Sequence, residues 1–252
     1  MSIILVTGAT SGFGKAIALR FAKEGYHVII TGRRKDRLDW LANEIRSDYG
    51  VDALPLCFDI REREACFAAI ESLPEKWKDI DILVNNAGGA WGRDKFESAD
   101  LDDWETMIDT NVKGLMYITK AVIPGMIEKK KGHIINMGSI AGSEVYEYGN
   151  GYNAAKFAVN AFSQSMRIDL LQYKIRVTHI APGAAETEFS LVRFKGDEQK
   201  AAAMYAGYQP LVADDIAEIV YFTASLPPHV CINHLEVTPT AQANSYYMYK
   251  GG

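Results

Sequence analysis

The sequence predicts an α/β protein: one doubly wound parallel sheet of about seven strands, with helices on both faces. Two observations carry this. Short, wholly apolar runs alternate along the chain with longer segments whose apolar residues recur at helical spacing. A glycine-rich loop, Thr7-Gly8-Ala9-Thr10-Ser11-Gly12-Phe13-Gly14, comes after the first apolar run and opens the first helical segment. Strands of such a sheet are covered on both faces, so they read as continuous apolar runs, and ligands lie at their carboxyl ends.

In order, Ile3-Ile4-Leu5-Val6 is the first buried strand. Ile17, Leu19, Phe21 and Ala22 then mark a helix of about three turns that Gly25 ends as a cap. Tyr26 to Thr31 is the second strand, and Lys35 to Tyr49 an amphipathic helix with Leu38, Leu41 and Ile45 on one stripe. A strand at Ala53–Phe58, a helix around Glu62–Ser72 and a strand at Ile80–Val84 continue the rhythm. A long helix spans Asp102 to about Lys130, and Pro124 predicts a bend or break near its last turns. The second half reads as strand His133–Asn136, helix Tyr152–Tyr173, strand Arg176–Ile180, helix Asp214–Ser225 and a strand near Leu235–Val237. No linker or repeat interrupts the series, so the 252 residues form one domain.

Composition excludes little but does so cleanly. Hydrophobic residues make up 48% and charged residues 23%, the balance of an ordinary soluble domain. A net charge of -5 and the absence of a basic block argue against a nucleic-acid partner; Lys129-Lys130-Lys131 sits where a helix ends and cations are favourable. Cys57, Cys66 and Cys231 lack metal spacing and are too few for a disulfide framework. They fit reduced thiols in a cytoplasmic protein, with no metal site. The N-terminal apolar run is too short for a signal or a membrane span.

The glycine loop lets the backbone turn tightly and approach a pyrophosphate at a positive helix terminus. The second strand ends Thr31-Gly32-Arg33-Arg34, with two arginines and no acid. A ribose 2′-hydroxyl calls for a carboxylate at that position, whereas guanidiniums suit a 2′-phosphate, so NADP(H) is favoured over NAD(H).

A second stretch, Asn136 to Lys156, carries the chemistry. A strand delivers Ser139 to the sheet edge, and Tyr152 and Lys156 come next, four residues apart on one helix face. A free phenol titrates near pKa ~10. A neighbouring ammonium favours the phenolate and is expected to lower that value into a useful range for acid–base work. Ser139 can hold a substrate oxygen beside the phenol.

With these motifs the chain resembles the short-chain dehydrogenase/reductases over essentially its whole length. The loop matches the family's T-G-x-x-x-G-x-G, Asn85-Asn86-Ala87-Gly88 its N-N-A-G, and Pro182-Gly183 with Thr187 its P-G-x-x-x-T. The resemblance implies a single-domain Rossmann-type fold, with a cofactor half to about residue 130, a catalytic and substrate half after it, and a lid near 184–210. It implies that Gly8, Thr10, Ser11, Gly12, Phe13 and Gly14 hold the pyrophosphate side, and that Asp59 and Ile60 border the adenine. Asn86, Ala87 and Gly88 would border the ribose, and Pro182, Gly183, Ala185 and Thr187 the nicotinamide. It makes Asn111, Ser139, Tyr152 and Lys156 a catalytic tetrad, with Asn111 holding a water chain to Lys156 and Lys156 also gripping the ribose. It implies homotetramers as well; Leu115, Ile118, Val122, Val159 and Phe162 on two long helices supply more apolar surface than one sheet face can cover.

The segments Asp103–Asn111, Ala181–Phe189 and Val192–Asp197 are similar, more narrowly, to NADP-dependent 3-hydroxy acid (serine/allo-threonine) dehydrogenases and to sulfoacetaldehyde reductase. Both groups act on short substrates with an anionic head, and malonic semialdehyde belongs to the first. A broader carbonyl reductase, or an NADP-binding regulator, remains as an alternative. Arg193 is the candidate anion partner and Lys195 the second. Glu144 and Glu147 suit an anionic substrate only if they point away, and the Tyr246-Tyr247-Met248-Tyr249 cluster packs either on the lid or on another subunit.

Overall fold

The computed structural model describes residues 2–251. Seven strands form one sheet in which every pairing is parallel: β1 (Ile3–Val6), β2 (His27–Gly32), β3 (Ala53–Cys57), β4 (Ile82–Asn85), β5 (Gly132–Met137), β6 (Ile175–Pro182) and β7 (His234–Val237). Their order is β3-β2-β1-β4-β5-β6-β7. The chain thus starts in the middle, winds outward, returns to β4 and winds the other way. The reversal falls between β1 and β4, where adjacent loops must diverge and leave a crevice.

Strand periodicity divides the core between two faces. Ile4, Val6, Val28, Ile30, Val84 and Ile135 point to one side, against α1 (Gly12–Lys23), α2 (Lys35–Tyr49) and the later helix α9 (Ala213–Ser225). Ile3, Leu5, Ile29, Leu83, Ile134 and Val177 point to the other, against α3 (Arg63–Glu71), α5 (Gly114–Glu128) and the start of the loop after α6 (Asn150–Asp169). Gly25, just past α1, has φ +83, in the left-handed conformation that ends a helix without a Cβ penalty.

The long helix of the central region departs from its expected form. Residues 101–128 comprise α4 (Leu101–Ile108), a π turn at Asp109–Lys113, and α5. The extra residue of a π turn rotates the helix beyond it, and here it turns Asn111 into the protein. Pro124 breaks nothing; α5 continues to Glu128 before Lys130 adopts φ 48. Leu115, Ile118, Val122 and Val159 are buried within the single chain, and Phe162 is half-buried. They therefore carry no argument for assembly. The apolar groups that these helices do expose are Met116, Phe157 and Ile168, with Leu171 just beyond α6.

After β6 the chain forms two short helices, α7 (Glu188–Arg193) and α8 (Glu198–Ala203), that the sequence pattern does not separate. Leu211 then returns to pair with Ala185, closing the base of this excursion.

Candidate active site

The carboxyl edge of the sheet opens into a cleft of about 650 Å³. The glycine-rich loop forms one wall. Gly8 has φ +66, and a Cβ there would stand 2.8 Å from the Ala87 Cα; one on Gly14 would stand 2.4 Å from the Gly8 carbonyl. Side chains are excluded from both positions, so the loop, the start of α1 and the end of β4 touch through bare backbone. Thr7 and Asn86 fix the contact. The Thr7 Oγ1 accepts from the amides of Asn86 and Ala87, and the Asn86 amide group donates to the carbonyls of Thr7 and Gly8.

Every residue expected at the cofactor lies on this cleft except Gly14, which sits behind the loop in α1. Arg34 donates to Thr10 Oγ1 at 2.6 Å and to Ser11 Oγ at 2.9 Å. Arg33 is mostly exposed and lies 3.8 Å from Asp59. Asp59 itself is gripped by Arg61, at 2.7 Å. Burial alone would raise that carboxyl, but the Arg61 hydrogen bonds outweigh it and hold it below its usual value. Thr187 caps α7, accepting from the Phe189 amide, and its Cβ lies 3.4 Å from where a Gly12 Cβ would stand. The segment that follows β6 therefore runs against the glycine loop at Thr187. Glycine-lined walls, free guanidinium donors and an open strand edge suit a dinucleotide phosphate chain.

Ser139, Tyr152 and Lys156 converge at the centre. Ser139 hydrogen-bonds the Tyr152 phenol, and the Lys156 ammonium lies 5.7 Å from the Tyr152 ring centre while donating to the Met137 carbonyl at 2.9 Å. The expected depression of the phenol by Lys156 is not what this arrangement gives. Burial drives the Tyr152 value above that of a free phenol; the nearby Tyr146 adds to this, and the Ser139 hydrogen bond and Arg193 charge only moderate it. Burial likewise lowers Lys156 to about 8. Desolvation disfavours both charged forms here and is the largest cause of both shifts.

Asn111 does not line the cleft but stands directly behind it. Its amide donates to the carbonyls of Gly89 and Met107, and its oxygen accepts from the Gly89 amide at 3.2 Å. A Cβ on Gly88 would lie 2.5 Å from that oxygen and 3.7 Å from the Lys156 Nζ. The π turn is what brings an asparagine to this depth.

Arg193 is 7% exposed and reaches the far end of the cleft. Its guanidinium carbon lies 5.5 Å from the Tyr146 ring centre and 5.7 Å from that of Tyr152. Nε points to the Gly92 carbonyl at 3.4 Å, and buried Nη2 has no protein partner. Lys195, the second candidate, pairs instead with Asp103 at 2.9 Å on the outer surface. Glu144 accepts from the Ser245 amide, and exposed Glu147 hydrogen-bonds Tyr148, so neither carboxylate faces Arg193. The C-terminal tyrosines flank these contacts: the Tyr246 hydroxyl donates to the Val145 carbonyl, while the rings of Tyr246, Tyr247 and Tyr249 remain exposed. Gln242 joins the tail to the segment after β6 by accepting from the Ala184 amide at 2.8 Å.

Sequence reading did not find Arg37, Glu188 or Gln242. Arg37 lies one helical turn beyond Arg34, a spacing that could have drawn notice; nothing local marks the other two. Together, fold and site define an α/β oxidoreductase with a dinucleotide cleft and a Ser–Tyr–Lys centre. The chain belongs to the short chain dehydrogenase family, whose sequence profile matches residues 2–197. It is 51% identical over 242 residues to the NADP-dependent 3-hydroxy acid dehydrogenase YdfG of Salmonella typhi, covering 96% of each chain. It is 47% identical over 246 residues to sulfoacetaldehyde reductase 2 of Chromohalobacter salexigens, covering 97% of each. Among solved structures, the closed form of serine dehydrogenase complexed with NADP+ matches at 48% identity and a TM-score of 0.93, covering 98% of both chains.

The Lys156 shift has a testable sign. A lysine lowered from 10.5 to about 8 destabilises the fold fully below pH 8, and the penalty fades as pH rises toward 10.5. Without added cofactor, Lys156→Met should therefore resist urea better than wild type at pH 7, by at most roughly 3 kcal/mol. The gap should narrow by pH 9.5; a pH-independent gap would contradict the shift.

Proposed function

We propose that the protein is an NADP-dependent oxidoreductase that moves a hydride between the nicotinamide and the alcohol carbon of a short hydroxy acid, or its semialdehyde. The observation that carries this reading is the buried, unpartnered Nη2 of Arg193 beside Tyr152. A buried guanidinium with a free donor needs an anion, and a carboxylate can take two parallel hydrogen bonds from it. Its distance from the phenol suits a molecule of only a few carbons. The family relatives named for 3-hydroxy acids support the same class. A sulfonate offers equivalent oxygens, so sulfoacetaldehyde is the second substrate this site favours, in keeping with the second relative.

The nicotinamide, when bound, supplies or accepts the hydride. The chain's own residues do the rest. Ser139 donates to the reacting oxygen and positions it against the phenol. Tyr152 gives its proton to that oxygen in reduction and takes it back in oxidation, for which a phenol kept protonated by burial is suited. Lys156 holds the ribose with donors that Met137 leaves free, and a water held at Asn111 returns the proton to solvent. Arg33, with Arg34, takes the 2′-phosphate; the remaining cleft residues play the roles given by the family pattern. Residues up to about 130 serve the cofactor, the later ones serve catalysis and substrate, and 184–210 act as the lid. Arg193 fixes the substrate's far end, and such remote binding energy positions the reacting carbon.

The reading extends to a cytoplasmic homotetramer. Free thiols at Cys57, Cys66 and Cys231 fit that compartment, and exposed Met116, Phe157, Ile168 and Leu171 fit subunit contacts. No helix among the described residues is long and apolar enough to cross a membrane.

Tyr152→Phe should bind NADPH almost as wild type does and turn over at least about 10²-fold more slowly, the lower range for a lost general acid. Wild type should prefer malonic semialdehyde, or serine in reverse, over neutral analogues of equal length. Arg193→Ala should erase that preference; better turnover of neutral or bulky carbonyls by wild type would leave only a general reductase. Sedimentation at micromolar concentration should give a tetramer, and a monomer would refute the assembly.

A further inference from the structure

A charged cluster at the adenosine end of the cleft is not explained by hydride transfer or by Arg193. It comprises Arg33, Arg34, Arg37 and the lid residue Glu188. The Glu188 carboxylate uses both oxygens: Oε2 accepts from Arg34 Nη1 at 3.1 Å, and Oε1 from Arg37 Nη1 at 2.8 Å. Arg34 turns its Nε and Nη2 to Thr10 and Ser11. One guanidinium thereby ties the end of β2, the glycine loop and the lid. Arg37 adds a helix, α2, to the same knot.

The cluster is placed where leverage is greatest. Glu188 comes directly after Thr187, the residue at which the lid departs from the glycine loop. It lies at one end of α7 and Arg193 at the other, so an anchor on Glu188 also fixes the helix that presents Arg193. A 2′-phosphate does not need to displace the carboxylate. Three guanidinium charges less one carboxylate leave two, about the charge of a phosphate monoester. Arg33 is 60% exposed and keeps its donors free, and Arg34 retains one Nη1 hydrogen.

We propose that Glu188 is a positioning residue: held by Arg34 and Arg37, it pins the lid to the phosphate-binding end of the cleft and orients Arg34 toward the 2′-phosphate. Arg37 acts on the cofactor only through Glu188. The inference rests on the NADP reading of the cleft. Both groups are partly exposed, so the ion pairs are individually weak and screened by salt. Their effect comes from one carboxylate joining three segments, and it belongs in rates of lid opening and cofactor release.

The experiment compares wild type with Glu188→Gln, Arg37→Ala and the double variant. NADPH release is measured by stopped-flow displacement, and lid opening by tryptic cleavage within residues 188–203, with and without NADPH. Each single variant should release NADPH about 3- to 10-fold faster and be cut faster in the lid even without cofactor. The double variant should match Glu188→Gln, because Arg37 acts only through that carboxylate, whereas Arg37→Ala alone keeps the Arg34–Glu188 pair and should have the smaller effect. Unchanged cleavage and release in both single variants would overturn the proposal. So would a further acceleration when Arg37→Ala is added to Glu188→Gln, since Arg37 would then touch the cofactor directly. Arg33→Ala separates the two readings. If it weakens NADPH and NADH equally, the 2′-phosphate assignment fails, while lid cleavage without cofactor still reports on the latch.

Discussion

Lys156 places an ammonium in the interior with a single protein acceptor, the Met137 carbonyl. A buried cation this poorly satisfied is costly, and much of the surrounding architecture serves to hold it in place. Gly142 packs against the backbone of Lys156 itself, where a Cβ would stand 2.6 Å from its carbonyl oxygen. Gly88 leaves room on the other side, and the π turn brings Asn111 behind it. Each device is locally unfavourable or neutral: a glycine, a widened helical turn, an asparagine in a helix. Their common result is a small polar chamber next to the phenol. The stability given up there matches the rule that strained and unsatisfied groups gather where chemistry is done.

The segment after β6 carries a comparable burden. Arg193 is buried between two tyrosine rings with a donor unused, a second incomplete charge on the far side of Tyr152. Rigid support compensates for it. The Arg193 carbonyl accepts from the Gly92 amide, Ser190 shares a hydrogen bond with Tyr205, and the Tyr205 hydroxyl donates to the Ala185 carbonyl. A segment so fastened presents a preorganised donor, which would bind an anion at less entropic cost than a free side chain.

Much of this architecture is legible in the sequence because the relevant signals are local. Alternating apolar runs disclose the fold, and the glycine loop and the Tyr152–Lys156 spacing need only their own neighbours. Asn111 is recognisable by pattern, but the π turn that inserts it is not, since a continuous helical stripe runs through residues 102–128 whichever way one turn is wound. The apolar positions Leu115, Ile118, Val122 and Val159 mislead for a related reason. α5 and α6 pack on neighbouring helices as well as on the sheet, so two buried faces do not require a second subunit. Glu188 and Gln242 cannot be read at all, because their partners lie 154 and 58 residues away in sequence. The direction of the Tyr152 shift escapes the sequence because spacing reports proximity and says nothing of desolvation.

The position of Arg193 also bears on how the centre would handle protons. Its charge is one of the two influences that pull the Tyr152 value down, the Ser139 hydrogen bond being the other. An anionic head group on Arg193 would neutralise that charge, and the phenol would hold its proton more firmly. In the proposed reducing direction this would keep Tyr152 in the acid form until the carbonyl oxygen begins to gain charge. In the oxidising direction the same neutralisation would oppose loss of the phenolic proton, leaving the Ser139 hydrogen bond as the influence that still favours it. With its value near 8, Lys156 is charged in most molecules at neutral pH and becomes neutral as pH rises. With Tyr152 as the proposed acid and base, the balance between the two directions of reaction would then depend on the charge that Arg193 presents as well as on the tyrosine itself.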